Sequence, residues 1–116
     1  MHKVVLVIDD ENAIKDLIVT LINDEPDYKA VGVESATKAL ELIESVNFDL
    51  IILDLQMPAM DGNEFLEELT KVNPALPVVV LSANLIKLKP HHQVKATIAK
   101  PFDIDQLLTV LGKHTA

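Results

Sequence analysis

Residues 4–10 are Val-Val-Leu-Val-Ile-Asp-Asp, a continuous apolar run that ends in two carboxylates. The run is rich in β-branched residues, which favour strands. Because it lacks polar alternation, it indicates a strand that is covered on both faces, as in a parallel sheet. Residues 50–53 (LIIL) and 78–81 (VVVL) have the same character. Residues 28–33 form a weaker candidate strand, and residues 97–99 a short one near an edge.

Apolar residues at helical spacing separate these strands. Such spacing gathers the apolar side chains on one face of a helix, and it predicts helices around residues 14–22, 36–43, 65–69 and 104–111. Ser35 and Asp103 are the predicted N-caps of the second and the last of these helices. Asp61 and Glu64 resemble a capping box for the third. Alternation of strands and helices along the whole chain is typical of an α/β fold.

Residues 84–95 interrupt this alternation. Pro90 lacks a backbone N–H donor and its ring clashes with the preceding turn, so a helix there should end near Lys89. We therefore expect one or two short turns in place of a full helix. The chain has no linker or repeat, and its 116 residues fit one domain that spans residues 1–116.

The composition excludes several classes of protein. Without cysteine, neither a disulfide framework nor a thiolate zinc site can form. The 3 glycines form no glycine-rich phosphate loop. No apolar run approaches the roughly 20 residues that span a bilayer, so we expect a soluble cytoplasmic protein without membrane contact. The net charge of −8 argues against direct binding to nucleic acid.

The charge is unevenly distributed along the chain. Residues 1–81 carry five lysines and sixteen acidic residues, whereas residues 82–116 carry five lysines and two acidic residues. The basic C-terminal part is either a solvated face or a docking surface for an acidic partner. The chain contains no arginine, so bidentate arginine contacts to phosphate are not available.

Polar residues follow four of the predicted strands. Asp9 and Asp10 follow the first strand, Asp54 ends the third, Ser82 follows the fourth and Lys100 follows the fifth. Ligands of an open parallel sheet bind beyond the carboxyl ends of its strands, so these side chains should meet at one edge. Two carboxylates about 4 Å apart repel each other by roughly 4 kcal/mol at an effective dielectric near 20. A hard cation such as Mg²⁺ would balance that repulsion.

Each of these features also has an explanation without function. Residues 9–11 could stabilise the start of the following helix through its dipole. Residues 57–62 could form only a turn and a helix start, residues 100–101 could be an ordinary loop, and a serine after a strand is uninformative. Their occurrence together at four strand ends favours a functional site.

The motif at residues 54–62, Asp-Leu-Gln-Met-Pro-Ala-Met-Asp-Gly, resembles the receiver domain of two-component response regulators. The pairs at residues 9–10, 81–82 and 100–101 follow in the expected order, and the likeness covers essentially the whole chain. It implies a single-domain, doubly wound, flavodoxin-like α/β fold with a five-stranded parallel sheet in the order 2-1-3-4-5. A shortened or irregular fourth helix and a cis Lys100-Pro101 peptide bond are also expected.

The resemblance implies a metal site. Asp10 and Asp54 match side-chain ligands, and Asp9 matches a residue that binds directly or through water. Gln56 matches the position whose backbone carbonyl completes the site. The implied metal is Mg²⁺, for which Mn²⁺ could substitute.

The resemblance also implies a phosphoryl acceptor. Asp54 matches the phosphoacceptor, Ser82 the switch hydroxyl and Lys100 the lysine that pairs with the phosphate. The implied donor is a sensor histidine kinase or a phosphotransfer protein, and the implied recipient of the signal is a downstream protein or an output domain. On this interpretation the domain is a signalling acceptor and not an enzyme.

Two features depart from the family pattern. Thr97 stands where the family usually has Tyr or Phe, three residues before the lysine. The interval from Ser82 to Lys100 is short by about one helical turn. These departures bear on how a signal leaves the domain and not on the acceptor chemistry.

Two other functions compete with this prediction. A pseudo-receiver would keep the fold and signal by protein contact without phosphorylation. An aspartyl-phosphate phosphatase also uses a strand-end Asp and Mg²⁺, but it usually carries a second Asp two residues later, where this chain has Gln56. The chain ends soon after the last predicted helix, so we expect a stand-alone regulator or the receiver part of a longer protein.

Overall fold

The computed structural model describes residues 2–54, 62–82 and 90–115. These residues form five strands and four helices. The strands are β1 (Lys3–Ile8), β2 (Tyr28–Val33), β3 (Leu50–Asp54), β4 (Val78–Ser82) and β5 (Val94–Ala99). The helices are α1 (Asn12–Asn23), α2 (Ala36–Ser45), α3 (Gly62–Val72) and α4 (Ile104–His114).

The strands form one parallel sheet in the order β2-β1-β3-β4-β5. The predicted doubly wound α/β fold is therefore confirmed. The shortened helix that we expected between the fourth and fifth strands falls largely on residues 83–89, which lie outside the described residues. Among the described helices, none combines the length and the apolar content that a bilayer crossing needs.

Side chains of the sheet alternate between two apolar cores. Leu6 and Ile51 pack in the core under α2 and α3, whereas Val7 and Ile52 pack in the core under α1 and α4. Every residue of β3 and β4 is buried. Helices cover both faces of the sheet, which explains why the central strands are continuous apolar runs.

Local capping starts two of the helices. The Ser35 hydroxyl accepts a hydrogen bond from the backbone N–H of Lys38 at 3.2 Å, at the start of α2. The Asp103 carboxylate accepts one from the backbone N–H of Gln106 at 2.7 Å, at the start of α4. Both predicted N-caps are confirmed. The capping box proposed for α3 involves Asp61, which lies outside the described residues.

The last strand begins three residues earlier than the sequence predicts. We expected a strand over residues 97–99 and turns as far as residue 95, whereas β5 spans Val94–Ala99. The cause is a residue just before the strand, Gln93, which is 1% exposed. Its backbone carbonyl accepts a hydrogen bond from Val78 N at 2.8 Å. This contact begins the pairing with β4 before the apolar part of β5 is reached.

A side chain covers part of the outer edge of β2. Asn23, the last residue of α1, accepts a hydrogen bond from Ala30 N at 2.8 Å. Its amide also donates to Ala30 O at 3.4 Å. The amide of Asn23 thus occupies backbone groups that a further strand would otherwise use.

Two valines in strands provide a test of the core. Val7 in β1 is 0% exposed and Val31 in β2 is 40% exposed. We expect Val7→Ala to lower the free energy of unfolding by about 2 kcal/mol, because it removes two buried methyl groups and leaves a cavity. Val31→Ala, the matched control, should cost less than about 1 kcal/mol. Urea unfolding followed by circular dichroism measures both, and equal losses would contradict the assignment of the core.

Candidate functional site

The pairing of β1 with β3 places two acidic residues side by side. Ile8 pairs with Leu53. Asp9 and Asp54 each follow one member of this pair, so both lie at the carboxyl edge of the sheet. Both are buried, Asp9 at 2% exposure and Asp54 at 6%.

The pairing of β4 with β5 adds a hydroxyl and an ammonium group to the same edge. Ser82 pairs with Ala99, the last residue of β5. The next residue, Lys100, donates its backbone N–H to the carbonyl of Ser82 at 3.1 Å. Ser82 is buried, at 1% exposure. Ser82 and Lys100 therefore lie side by side at this edge, at the ends of neighbouring strands.

Three carboxylates converge at this edge, as the sequence predicts. One oxygen from each of Asp9, Asp10 and Asp54 lies within 4.8 Å of the other two. Asp10 is exposed, whereas the other two are buried. At this spacing the unbalanced repulsion of each pair would amount to several kcal/mol, so the fold must balance it.

Lys100 supplies one positive charge against the cluster. Its Nζ donates a hydrogen bond to Asp54 Oδ2 at 2.7 Å. Burial by itself lowers the pKa of Lys100, but the hydrogen bond and charge of Asp54, with the charge of Asp9, raise it above its ordinary value. The ammonium group therefore stays protonated at neutral pH.

The two carboxylate oxygens of Asp9 differ in their hydrogen bonding. Its Oδ1 accepts a hydrogen bond from the backbone N–H of Glu11 at 2.9 Å. Its Oδ2 is buried and has no hydrogen-bond partner among the described residues. Burial raises the pKa of Asp9 to about 6, and the charge of Asp54 adds to the rise, while the hydrogen bond from Glu11 opposes it.

These oxygens fit a hard divalent cation. A buried carboxylate oxygen without a donor is costly unless a cation or a proton satisfies it. Here it lies beside two further carboxylates, which is the oxygen donor set that Mg²⁺ prefers. The side chain of Glu11, the N-cap residue of α1, makes no capping hydrogen bond. Capping of α1 by the Glu11 side chain therefore does not account for the acidic run.

A match to a known protein family also indicates that this edge of the sheet is a functional site. Residues 5–112 match the family model of the response regulator receiver domain. The chain belongs to the response regulator receiver family. This receiver has the predicted strand order and, at the end of β5, a cis peptide bond between Lys100 and Pro101.

Individual relatives of the receiver differ in length. A protein-glutamate methylesterase/protein-glutamine glutaminase of Thiobacillus denitrificans is 44% identical over 80 residues, which are 68% of this chain and 22% of that protein. The chain thus spans about a fifth of that relative's length. The sporulation initiation phosphotransferase F of Bacillus subtilis is 27% identical over 118 residues, covering 98% of this chain and 94% of its own.

A solved relative of the receiver carries a metal complex. The response regulator protein TrrA of Thermotoga maritima, in complex with Mg(2+)-BeF, is 29% identical with a TM-score of 0.85. The match covers 96% of this chain and 97% of that one.

The receiver brings together five of the six predicted site residues. Asp9, Asp10, Asp54, Ser82 and Lys100 all lie at the carboxyl edge of the sheet. The sixth, Gln56, lies outside the described residues.

Sequence reasoning missed a depression beside the site. A cavity of about 580 Å³ lies between α1 and the segment that leads into α4. Its lining includes Lys100, Phe102 and Leu17. The helical spacing predicts that Leu17 is buried, but it is 53% exposed and borders this cavity. Spacing alone gave no signal for this exposure, because it depends on how α1 packs on the sheet.

The unpaired oxygen of Asp9 gives a prediction for pH. The folded pKa of about 6 lies above the ordinary value of 3.8, so the folded protein gains stability as pH falls from about 7.5 to about 5. Asp9→Asn should raise the free energy of unfolding of the metal-free protein at pH 7.5, by on the order of 2 kcal/mol, and remove that gain.

Urea unfolding in the presence of EDTA at both pH values measures this effect. Asp105→Asn, which changes an exposed acid in the first turn of α4, is the control. A loss of stability in Asp9→Asn at the higher pH would show that the carboxylate is well satisfied in the metal-free protein.

Proposed function

We propose that this receiver accepts a phosphoryl group on Asp54 and signals through the resulting conformational change. The donor is the phosphohistidine of a sensor histidine kinase or a phosphotransfer protein, and the reaction depends on Mg²⁺. The observation that carries the proposal is the hydrogen bond of 2.7 Å between Lys100 Nζ and Asp54 Oδ2, at the centre of a cluster of three carboxylates. The ammonium group of Lys100 thus contacts one oxygen of the proposed acceptor carboxylate.

The residues that would hold Mg²⁺ are Asp9, Asp10 and Asp54 through their side chains, and Gln56 through its backbone carbonyl. Mn²⁺ has similar ligand preferences and could substitute. When bound, the metal supplies positive charge against the oxygens of the transferring group. The buried, unpartnered Oδ2 of Asp9 supports this assignment.

Transfer would proceed by in-line attack of an Asp54 oxygen on the phosphorus atom. A bond forms between this oxygen and phosphorus, and the bond from phosphorus to the donor's imidazole nitrogen breaks, with the electron pair leaving on the imidazole. Lys100 then donates its hydrogen bond to a phosphoryl oxygen, and Ser82 offers its hydroxyl to another. Preorganised donors of this kind stabilise the developing charge without reorganisation. Later attack by water at phosphorus releases phosphate and restores Asp54.

The protein supplies an acceptor rather than a turnover site, so we class it as a signalling domain and not as an enzyme. The activity in the name of the methylesterase relatives belongs to proteins of which this chain matches about a fifth. We propose that residues 1–116 form one receiver domain, that it works in the cytoplasm and that it acts on a downstream protein or an output domain.

One observation favours a second candidate, a pseudo-receiver that signals by contact alone. Thr97 occupies the position on β5 where the family usually has an aromatic residue, and it is exposed. Such a change could accompany the loss of a phosphorylation switch. The two candidates differ in whether Asp54 takes up phosphate.

Mass spectrometry distinguishes the two candidates. After incubation with acetyl phosphate and Mg²⁺, the protein should gain about 80 Da, the mass of one phosphoryl group. Asp54→Asn should abolish the gain because its amide is a poor nucleophile, and it should disturb the fold less than Asp54→Ala. Asp49→Asn, which changes another acid just before β3, is a control that should keep the gain. An unmodified wild-type mass would favour the pseudo-receiver.

Thermal unfolding tests the metal site separately. Mg²⁺ at about 100 times its dissociation constant should add about 2.7 kcal/mol of stability by mass action, and the melting temperature should rise accordingly. Asp10→Asn and Asp54→Asn should each reduce this rise, because each removes one carboxylate from the cluster. Asp105→Asn should keep it. If none of the site variants changed the response to Mg²⁺, the proposed ligands would be wrong.

A further inference from the structure

A buried glutamine organises the edge of the sheet opposite to the acidic cluster. Gln93 precedes β5, and its side-chain Nε2 donates to the carbonyls of Asn73 at 2.9 Å and Leu76 at 2.8 Å. Both partners are acceptors, which fixes the orientation of the amide. Its Oε1 therefore faces the Thr70 hydroxyl, which donates to it at 2.9 Å.

The same network determines the protonation state of a histidine. The backbone N–H of Gln93 donates to His91 Nδ1 at 3.2 Å, so Nδ1 carries no proton. The other ring nitrogen, Nε2, lies 3.0 Å from Thr70 Oγ1. Because the Thr70 hydroxyl has only one proton, which is shared between Gln93 Oε1 and the helix carbonyl of Leu66 at 3.0 Å, Nε2 must be the donor in this contact. His91 is thus neutral, with its proton on Nε2.

A second proton on His91 would break this arrangement. Nδ1–H would then point at the N–H of Gln93, so that two donors face each other in a partly buried setting. The surroundings of His91, taken together, also disfavour that proton. Burial lowers the pKa of His91, and the charge of His92 lowers it further, while Glu67 on α3 opposes the change. The two imidazoles are stacked with centroids 4.7 Å apart, and Lys95 on β5 donates to the His92 carbonyl at 3.0 Å.

We propose that Thr70, His91 and Gln93 form a proton-sensitive latch. With His91 neutral, the latch fastens residues 90–93 to α3. With His91 protonated, the hydrogen bond from the backbone N–H of Gln93 is lost and residues 90–92 are released, whereas the Gln93 side chain keeps its hydrogen bonds to Asn73 and Leu76. A depression of about 110 Å³, lined by Asn63, Leu66, Glu67, Pro90 and His91, lies at this contact. Opening of the latch would change this surface between α3 and the start of β5. The proposal does not depend on phosphorylation of Asp54.

Nuclear magnetic resonance of the full chain tests the latch without any substitution. As pH falls from about 8 to about 5, His91 should titrate below the ordinary histidine value of about 6.5. The amide resonance of Gln93 should move with the same midpoint, since its acceptor is removed. A pKa of His91 at or above the ordinary value would overturn the proposal. So would a Gln93 amide resonance that does not move as His91 titrates.

A matched pair of variants adds a stability test. His91→Asn offers an acceptor oxygen near the position of Nδ1 but does not titrate, and His92→Asn changes the exposed neighbour. A histidine whose folded pKa is lowered costs stability as pH falls below its unfolded pKa. Between pH 7.5 and pH 5 the melting temperature of the wild type should therefore fall relative to that of His91→Asn.

Comparison with a variant is necessary because Asp9 makes the folded protein more stable as pH falls from 7.5 to 5, which opposes the effect of His91. His92→Asn should keep most of the wild-type fall, because burial, the larger cause of the lowered pKa of His91, is unchanged in that variant. If the melting temperatures of the wild type and of His91→Asn changed in parallel with pH, the proposal would be overturned. If His91→Asn failed to fold, the wild-type titration would still decide it.

Discussion

The carboxylates of Asp9, Asp10 and Asp54 have oxygens within 4.8 Å of one another and repel each other strongly. The rest of this carboxyl edge of the sheet must offset that repulsion. Lys100 balances one charge through its contact with Asp54. The remaining cost is evident at Asp9, whose second oxygen is buried without a partner and whose pKa is raised to about 6. The fold therefore gives up some stability at this edge to keep three carboxylates close together, which is a common feature of functional sites.

The features that the sequence predicted well are local or periodic. Ser35 and Asp103 were identified as N-caps because a cap needs only neighbours within three residues. The acidic cluster could be predicted because the carboxyl ends of parallel strands meet at one edge in any such sheet. The resemblance to the family added an expected role for each site residue, which periodicity alone does not provide.

The features that were missed depend on contacts between distant parts of the chain. The early start of β5 and the burial of Gln93 follow from hydrogen bonds to residues 15–23 positions away. Gln93 is a polar residue three positions after Pro90, and nothing in its sequence neighbours indicates that its side chain is buried. The spare oxygen of Asp9 and the exposure of Leu17 likewise depend on how strands and helices pack, and neither could be deduced from spacing.

The amide of Asn23 has a consequence for the protein at high concentration. An open strand at the side of a sheet is a template on which another molecule can add its own strand, and this is a route to aggregates. Asn23 holds both backbone groups of Ala30 on β2, so that an incoming chain would find this part of the template already taken. A residue that ends a helix thereby also helps to keep separate molecules apart.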